Sequence, residues 1–266
     1  MMNFILFNKF NEKLNKISAI FMLLIKINLM QNGKKATGLC AVNGFTLNEL
    51  VLEMGDNHLC TSDDTPLRPD AFDMSSEEKV KKIEGLFRQV METLGLDLND
   101  DSLRGTPLRV AKMYVEETFR GLDPEHKPAI TLFDNKYHYN QMLVEKDITV
   151  YSHCEHHFVP IYGKAHVGYI SSGKVIGLSK LNRLVDYYAR RPQVQERLTM
   201  QIGHALQQVL DTENVAVVID AKHLCVASRG IRDTHSATVT SFYGGKFGHS
   251  AVKEEFLRYV SMTTVY

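Results

Sequence analysis

Along residues 1 to about 70 the apolar positions keep no sustained amphipathic period, and Asp63-Asp64-Thr65-Pro66 through Pro69 reads as linker. The pattern changes at Ser75. Ser75-Ser76-Glu77-Glu78 has the form of a capping box, in which the Ser75 hydroxyl accepts from the backbone N–H three residues on and Glu78 reaches back. Val80, Ile83, Phe87, Val90, Met91 and Leu94 then recur at helical spacing, and Gly95 ends the run. Thr106-Pro107 opens a second helix, with Thr106 as N-cap and Pro107 at the first helical position. Val110, Ala111, Tyr114, Val115 and Thr118 form its inner stripe, and Gly121 is its stop.

After a loop from Asp123 to Pro128 the period shortens. Residues 147–152 and 161–170 read as strands. Ser179 caps a helix that runs to Arg190, and Pro192 breaks the chain. A longer helix follows, with Val194, Leu198, Ile202, Leu206 and Val209 as its stripe. Residues 215–227 form a β-branched strand, residues 238–243 another, and residues 254–260 a short closing helix. Strands joined by hairpins, with helices grouped after them, predict an α+β fold on an antiparallel sheet.

Composition narrows the function. The chain has 266 residues, 44% of them apolar, enough for a sizeable core. Its 31 basic residues balance 31 acidic ones, which argues against a bulk nucleic-acid or membrane-surface binder but leaves room for a local anion pocket. Four cysteines in a chain this long are not a disulfide framework; a reducing compartment, with thiols free to bind metal, fits better. The apolar stretch from Ile17 to Met30 follows Lys9, Lys13 and Lys16 and is signal-like, but Lys26 interrupts it and it is too short for a membrane span. It reads as a leader, with Met30 and Met54 as alternative starts.

The strongest chemical signal lies between two strands, where residues 152–158 read Ser-His-Cys-Glu-His-His-Phe. Cys154 and His157 have C-x-x-H spacing, and a thiolate and an imidazole three apart at a turn reach one ion; the pair suits Zn²⁺. A third donor must come from elsewhere. On the strand near residue 223, alternation puts His223 and Cys225 on the face that carries Val217, Ile219 and Ala221. With Cys225 the set is Cys₂His, three protein ligands and an open fourth position, the arrangement of catalytic zinc. Two alternatives stand beside it: a structural zinc closed by His223 or His156, and a chain in which Cys225 is only a small core residue. His156 and His223 fit general acid/base roles beside the ion. His153 and Glu155 either orient their neighbours or face solvent.

Ser179-Lys180-Leu181-Asn182-Arg183 opens a helix with cations at its N-terminus, against the macrodipole, and a bound anion resolves the conflict. Arg109 with Lys112, and Arg229 with Arg232, repeat the pattern, and three basic clusters in a neutral chain suggest a polyanionic small molecule. Each cluster alone also reads as solvated surface charge, and Lys112 is left at that. Gln195 and Glu196 lie in the first turn of the long helix, where capping suffices to explain them.

These motifs resemble the GTP cyclohydrolase I family. The likeness rests on Cys-Glu-His-His-Phe at 154–158, Gly-Leu-Ser-Lys-Leu-Asn-Arg at 177–183, Arg-Pro-Gln-Val-Gln-Glu-Arg-Leu at 191–198, and His-Leu-Cys at 223–225 running on to Arg-Gly-Ile-Arg-Asp at 229–233. Thr-Pro-Leu-Arg-Val-Ala-Lys-Met-Tyr at 106–114 matches as well, and the motifs fall in order over about residues 65–260. The resemblance implies the tunnelling fold (T-fold), an antiparallel sheet with two helices on one face, in a cytoplasmic homodecamer of two pentamers with active sites between subunits. Along the chain this places a poorly ordered leader and linker over residues 1–70, which the resemblance does not reach in its first 50 or so residues, a helical segment over 71–125 and the catalytic T-fold domain over 126–266. The implied reaction is GTP plus water to 7,8-dihydroneopterin triphosphate and formate, the first step of folate or pterin biosynthesis. Cys154, His157 and Cys225 would hold Zn²⁺, whose water attacks C8 of the guanine. His156 and His223 would handle protons. Glu196 would accept from the guanine N1–H and 2-amino group, with Gln195 beside it. Ser179, Lys180, Arg183, Arg229 and Arg109 would hold the triphosphate. The reading in another class is a zinc-stabilised module that binds a nucleotide without chemistry; a third is an enzyme of the same fold acting on another purine or pterin. Nucleic acid and membrane are not among the implied partners.

Overall fold

The structure is a computed structural model that describes residues 64–263, within a compact unit spanning residues 61–266. The leader reading, with Cys40 and Cys60, lies outside the described residues.

Helix α1 (Ser76–Thr93) starts on the capping box read from the sequence: the Ser75 side chain accepts from the Glu78 N–H and the Glu78 carboxylate accepts from the Ser75 N–H. It ends at Gly95, which takes φ +84°, with the Leu96 N–H closing on the Met91 carbonyl. The second helix begins differently from the expectation. A helical turn, α2 (Asp101–Arg104), capped by Asp100, runs through Gly105 into α3 (Thr106–Lys112). Gly105 already has helical dihedrals, so Thr106 does not act as N-cap. The helix loosens into a π-turn over Met113–Thr118 and breaks at Phe119. Gly121 then sits where a Cβ would meet the Tyr187 carbonyl oxygen at 2.0 Å, so only glycine permits this approach.

The sheet holds β2 (Met142–Cys154), β3 (Pro160–Ile170), β5 (Pro192–Gln193), β6 (Val215–His223) and β7 (Thr238–Tyr243), in the order β5-β2-β3-β6-β7. A separate two-stranded ribbon pairs β1 (Leu132–Asp134) with β4 (Lys174–Ile176), which the sequence pattern did not announce. All pairings in the main sheet are antiparallel except β2 with β5, so the sheet is mixed where an antiparallel one was expected. The reason is local: Pro192 and Gln193 bridge two helices and reach the sheet edge for only two residues.

Those helices are α4 (Leu178–Ala189) and α5 (Gln195–Leu210). Their apolar faces, including Leu181, Leu184, Val185, Leu198, Ile202 and Leu206, pack with Val150, Val167, Val217 and Ile219 of the sheet in one buried core. Ser179 lies inside the first turn of α4, because β4 runs straight into the helix and Gly177 takes the N-cap position. The opposite sheet face carries a smaller cluster of Met142, Ala216, Val218, Phe247 and Phe256, where the closing helix packs; α6 is the short turn Leu224–Ala227 and α7 the closing helix Ser250–Ser261. The closing helix is therefore longer than residues 254–260. Among the described residues, no helix is long and apolar enough to cross a membrane.

Candidate metal centre

The site grows from the strand alternation of β2. A register irregularity between Glu145 and Ile148, with Asp147 at φ +60°, resets the strand. Beyond it Ile148, Val150, Ser152 and Cys154 are all buried, so the inward face delivers the Cys154 thiol at the strand end. The register does the same for β6. Ser152 pairs with Ile161 on β3, and Ile161 pairs with His223 on β6, so the three form one row across the sheet. Two strand spacings separate Ser152 from His223, roughly 10 Å between backbones.

Cys225 reaches this end by a different route from the one expected. The strand stops at His223 and the chain turns into α6, so strand alternation does not carry Cys225. One helical turn brings it to Cys154. Among the described residues, Cys154, His157 and Cys225 form a group whose donor atoms all lie within 4.8 Å of one another. The Cys154 sulfur is 3.8 Å from His157 Nδ1. Tetrahedral zinc with ordinary Zn–S and Zn–N bonds sets such donors about 3.6 Å apart, so the spacing fits. His156 Nδ1 also lies 3.7 Å from the Cys154 sulfur, but His156 does not join the group with Cys225, and neither does His223. Three donors, not four, converge.

The charges fit as well. Burial and the neighbouring Cys154 push the Cys225 thiol up to about 11 by the protein groups alone. A divalent metal bound at Cys225 would favour the thiolate that burial disfavours. His223 is held below the usual histidine range by burial, with the Glu196 carboxylate partly opposing the shift. That interaction places Glu196, exposed on the first turn of α5, within electrostatic reach of His223.

The loop that carries the ligands is pinned on both sides. The Cys154 N–H donates to the Val159 carbonyl, the Phe158 N–H to the Cys154 carbonyl, and the Glu155 N–H to the Gln193 carbonyl on β5. Phe158 takes φ +55°, a conformation that strains a non-glycine residue by about 1–3 kcal/mol. Its ring packs edge-on against Phe119 at 5.1 Å and near Tyr114 at 6.5 Å, and Phe119 meets His153 at 5.5 Å. His153 therefore belongs to an aromatic wedge behind the loop; burial first, and Arg190 second, hold it below the usual histidine range. Glu155 pairs with Arg197, whose side chain is 3% exposed. Arg197 also donates to Gln193 Oε1 at 3.0 Å and the Pro192 carbonyl at 3.2 Å. The supporting roles of Arg197, Gln193, Phe119 and Tyr114 are not legible in the sequence: an arginine beside an apolar stripe looks like solvated charge until its partner 42 residues away is known.

The remaining predicted residues scatter. Arg229 Nη1 lies 2.6 Å from His157 Nε2, at the site. Gln195 is buried, and its amide bonds to His223, to the middle of β6 at Ile219 and to the start of β7 at Thr238. Arg109 is exposed on α3, its guanidinium folded over Gly105. Ser179 and Arg183 are exposed and Lys180 half-buried at the start of α4, where Asn182 Nδ2 donates to Glu145 Oε1 at 3.3 Å. Glu145 stands nine residues before Cys154 on β2, roughly 30 Å along the strand. Within one chain, the cations of α4 and the metal donors occupy opposite ends of the sheet.

The fold and site thus define an α+β protein with a three-donor Cys₂His centre at one end of its sheet. The sequence profile of GTP cyclohydrolase I matches residues 83–261, and the chain belongs to that family. It is 61% identical over 212 residues to a GTP cyclohydrolase 1 of Flavobacterium johnsoniae, covering 80% of this chain and 95% of the relative. Relatives of the same name in Citrobacter koseri and in Escherichia coli O1:K1 are 54% and 55% identical over 198 residues, covering 74% of this chain and 89% of each relative.

Removing the Glu155 carboxylate takes an ion-pair partner from the buried Arg197 guanidinium and unpins the loop. Glu155→Ala is predicted to destabilise the fold by about 3 kcal/mol and to weaken Zn²⁺ binding about 10- to 100-fold. Thermal unfolding and competition with a chromophoric chelator measure the two; unchanged values in both would remove the pinning role.

Proposed function

We propose that this protein converts GTP and water to 7,8-dihydroneopterin triphosphate and formate at the centre formed by Cys154, His157 and Cys225, with Zn²⁺ as its metal. The observation that carries the reading is the convergence of three donors, not four, beside His156, His223 and Glu196, in a chain of this family. When bound, zinc supplies Lewis acidity and lowers the pKa of a coordinated water toward neutrality.

The chain's own groups divide the remaining work. Glu196, exposed on the first turn of α5 within electrostatic reach of His223, accepts from two N–H groups in one plane, the guanine N1–H and the 2-amino group; adenine has no N–H at N1 and no 2-amino group, so it lacks the matching pair. His156, with Nε2 3.6 Å from the Glu155 carboxylate, and His223 hold and move protons as the C8–N bonds of the imidazole ring break and C8 leaves as formate. The Glu155 carboxylate beside His156 helps orient its ring toward the substrate. Arg229 at the site, with Ser179, Lys180, Arg183 and Arg109, holds the triphosphate.

The last assignment bears on assembly. Cations at one end of a sheet serve a metal centre at the other end only if they serve the centre of a neighbouring copy. The position of the α4 cations at the Glu145 end of β2, away from Cys154, supports active sites built between subunits. In this reading the chain adopts the T-fold, assembles as a decamer of two pentamers, and works in the cytoplasm, where thiols stay free for metal.

Incubation of zinc-loaded protein with GTP, followed by oxidation, is predicted to yield a fluorescent pterin and one formate per GTP consumed. An assembled, zinc-loaded protein that leaves GTP untouched would overturn the reading. Sharing of sites has its own test. His156→Ala and Arg183→Ala each lose turnover, the former about 10²-fold or more with zinc retained. Dissociated and reassembled in equal mixture, the two are predicted to recover about a quarter of the wild-type rate, because that fraction of sites combines two intact halves. No recovery in verified mixed assemblies would place both residues in one subunit's site.

A further inference from the structure

Gln195 is 1% exposed, and its hydrogen bonds define which end of the amide is which. Nε2 lies 3.0 Å from the Ile219 carbonyl oxygen, 2.8 Å from the Thr238 carbonyl oxygen and 3.1 Å from Thr240 Oγ1. The two carbonyls only accept. A flipped amide would set oxygen against oxygen at both, so the nitrogen stays there and its two hydrogens are used. The threonines continue the network in one direction. Thr199 Oγ1 donates to the Gln195 backbone carbonyl at 2.8 Å, which leaves Thr240 Oγ1 to donate to Thr199 Oγ1 at 2.6 Å. Every member of this buried set has a partner, which makes its polarity a property of the fold.

The consequence falls on His223. Gln195 Oε1, which only accepts, lies 2.8 Å from His223 Nε2. The proton of that bond must sit on the imidazole. We infer that Gln195 is a positioning residue for the reaction proposed above: it fixes His223 as the Nε2–H tautomer, so that Nδ1 is the ring's one acceptor of a substrate or water proton. Gln195 acts on the substrate through His223, not by touching the guanine. A histidine locked this way takes a proton at one defined atom, and a ring free to exchange tautomers would present the wrong nitrogen part of the time.

The experiment reads the tautomer directly. Solid-state ¹⁵N spectra of the zinc-loaded, histidine-labelled full-length protein, with the His223 signals identified by their loss in His223→Asn, are predicted to show a protonated Nε2 and a bare Nδ1. Gln195→Met keeps the side-chain length and removes the acceptor. It is predicted to abolish that signature and to lower kcat about 100-fold with KM for GTP changed by less than about twofold and zinc stoichiometry unchanged. A bare Nε2 in the wild-type spectrum overturns the inference, and so does a Gln195→Met protein that keeps the wild-type His223 signals. If that variant does not assemble, the wild-type spectrum alone decides. The inference rests on the proposed function only for its kinetic arm: a wild-type protein that assembles but leaves GTP intact counts against that function, while the tautomer still decides the role of Gln195.

Discussion

The register of the β2–β3–β6 ladder is the constraint on which the site depends. Ser152, Ile161 and His223 lie in one row, and every side chain near the metal centre is placed relative to that row. A slip of one residue on β2 would turn Cys154 and Ser152 outward and bring Glu155 and His153 toward the core. The slip is prevented by what lies behind it. Ile148 and Val150 on β2, Val217, Ile219 and Ala221 on β6, and the apolar faces of α4 and α5 share one buried core. The hydrophobic pattern that folds β2 therefore also aims Cys154, and the alternation continues unbroken from Ile148 through Val150 and Ser152 to its thiol.

A second layer of control is polar. Gln193, Gln195 and Arg197 all stand at the junction of β5 and α5, and all are buried. Each faces a different part of the site: Gln193 and Arg197 support the loop through Glu155, and Gln195 holds His223. Buried polar groups of this kind are costly when half satisfied and rigid when fully satisfied. The strained backbone at Phe158 has the same logic. The aromatic packing of Tyr114, Phe119 and His153 holds a turn that the chain would not adopt alone, and that turn folds His157 back toward Cys154.

The sequence made the donors legible because soft ligands cluster where nothing else explains them. Cys154 and His157 are three residues apart at a turn, and strand alternation pointed to Cys225; the three donors do lie within 4.8 Å of one another. The route to Cys225 was misread, since a β-branched run gives no sign of where a strand curls into a helical turn. Capping signals transferred unevenly. Ser75 caps as read, but Thr106 and Ser179 sit inside helices because the preceding residues already curve into the first turn, and dihedral angles of neighbours are not visible in a cap motif. Gln195 had a sufficient local explanation as a first-turn residue, yet its partners lie 24 to 45 residues away. Long-range polar pairing of this sort, like that of Glu155 with Arg197, leaves no periodic trace.

A three-donor site leaves one position of a bound metal open to water, and the metal's coordination shell shows whether it does. Zinc K-edge absorption of the loaded protein is predicted to show two sulfurs at about 2.3 Å and two lighter atoms at about 2.0 Å, with multiple scattering from a single imidazole. A shell with two imidazoles, or with one sulfur, would contradict it: the first closes the site with His156 or His223, and the second removes Cys154 or Cys225 from the centre.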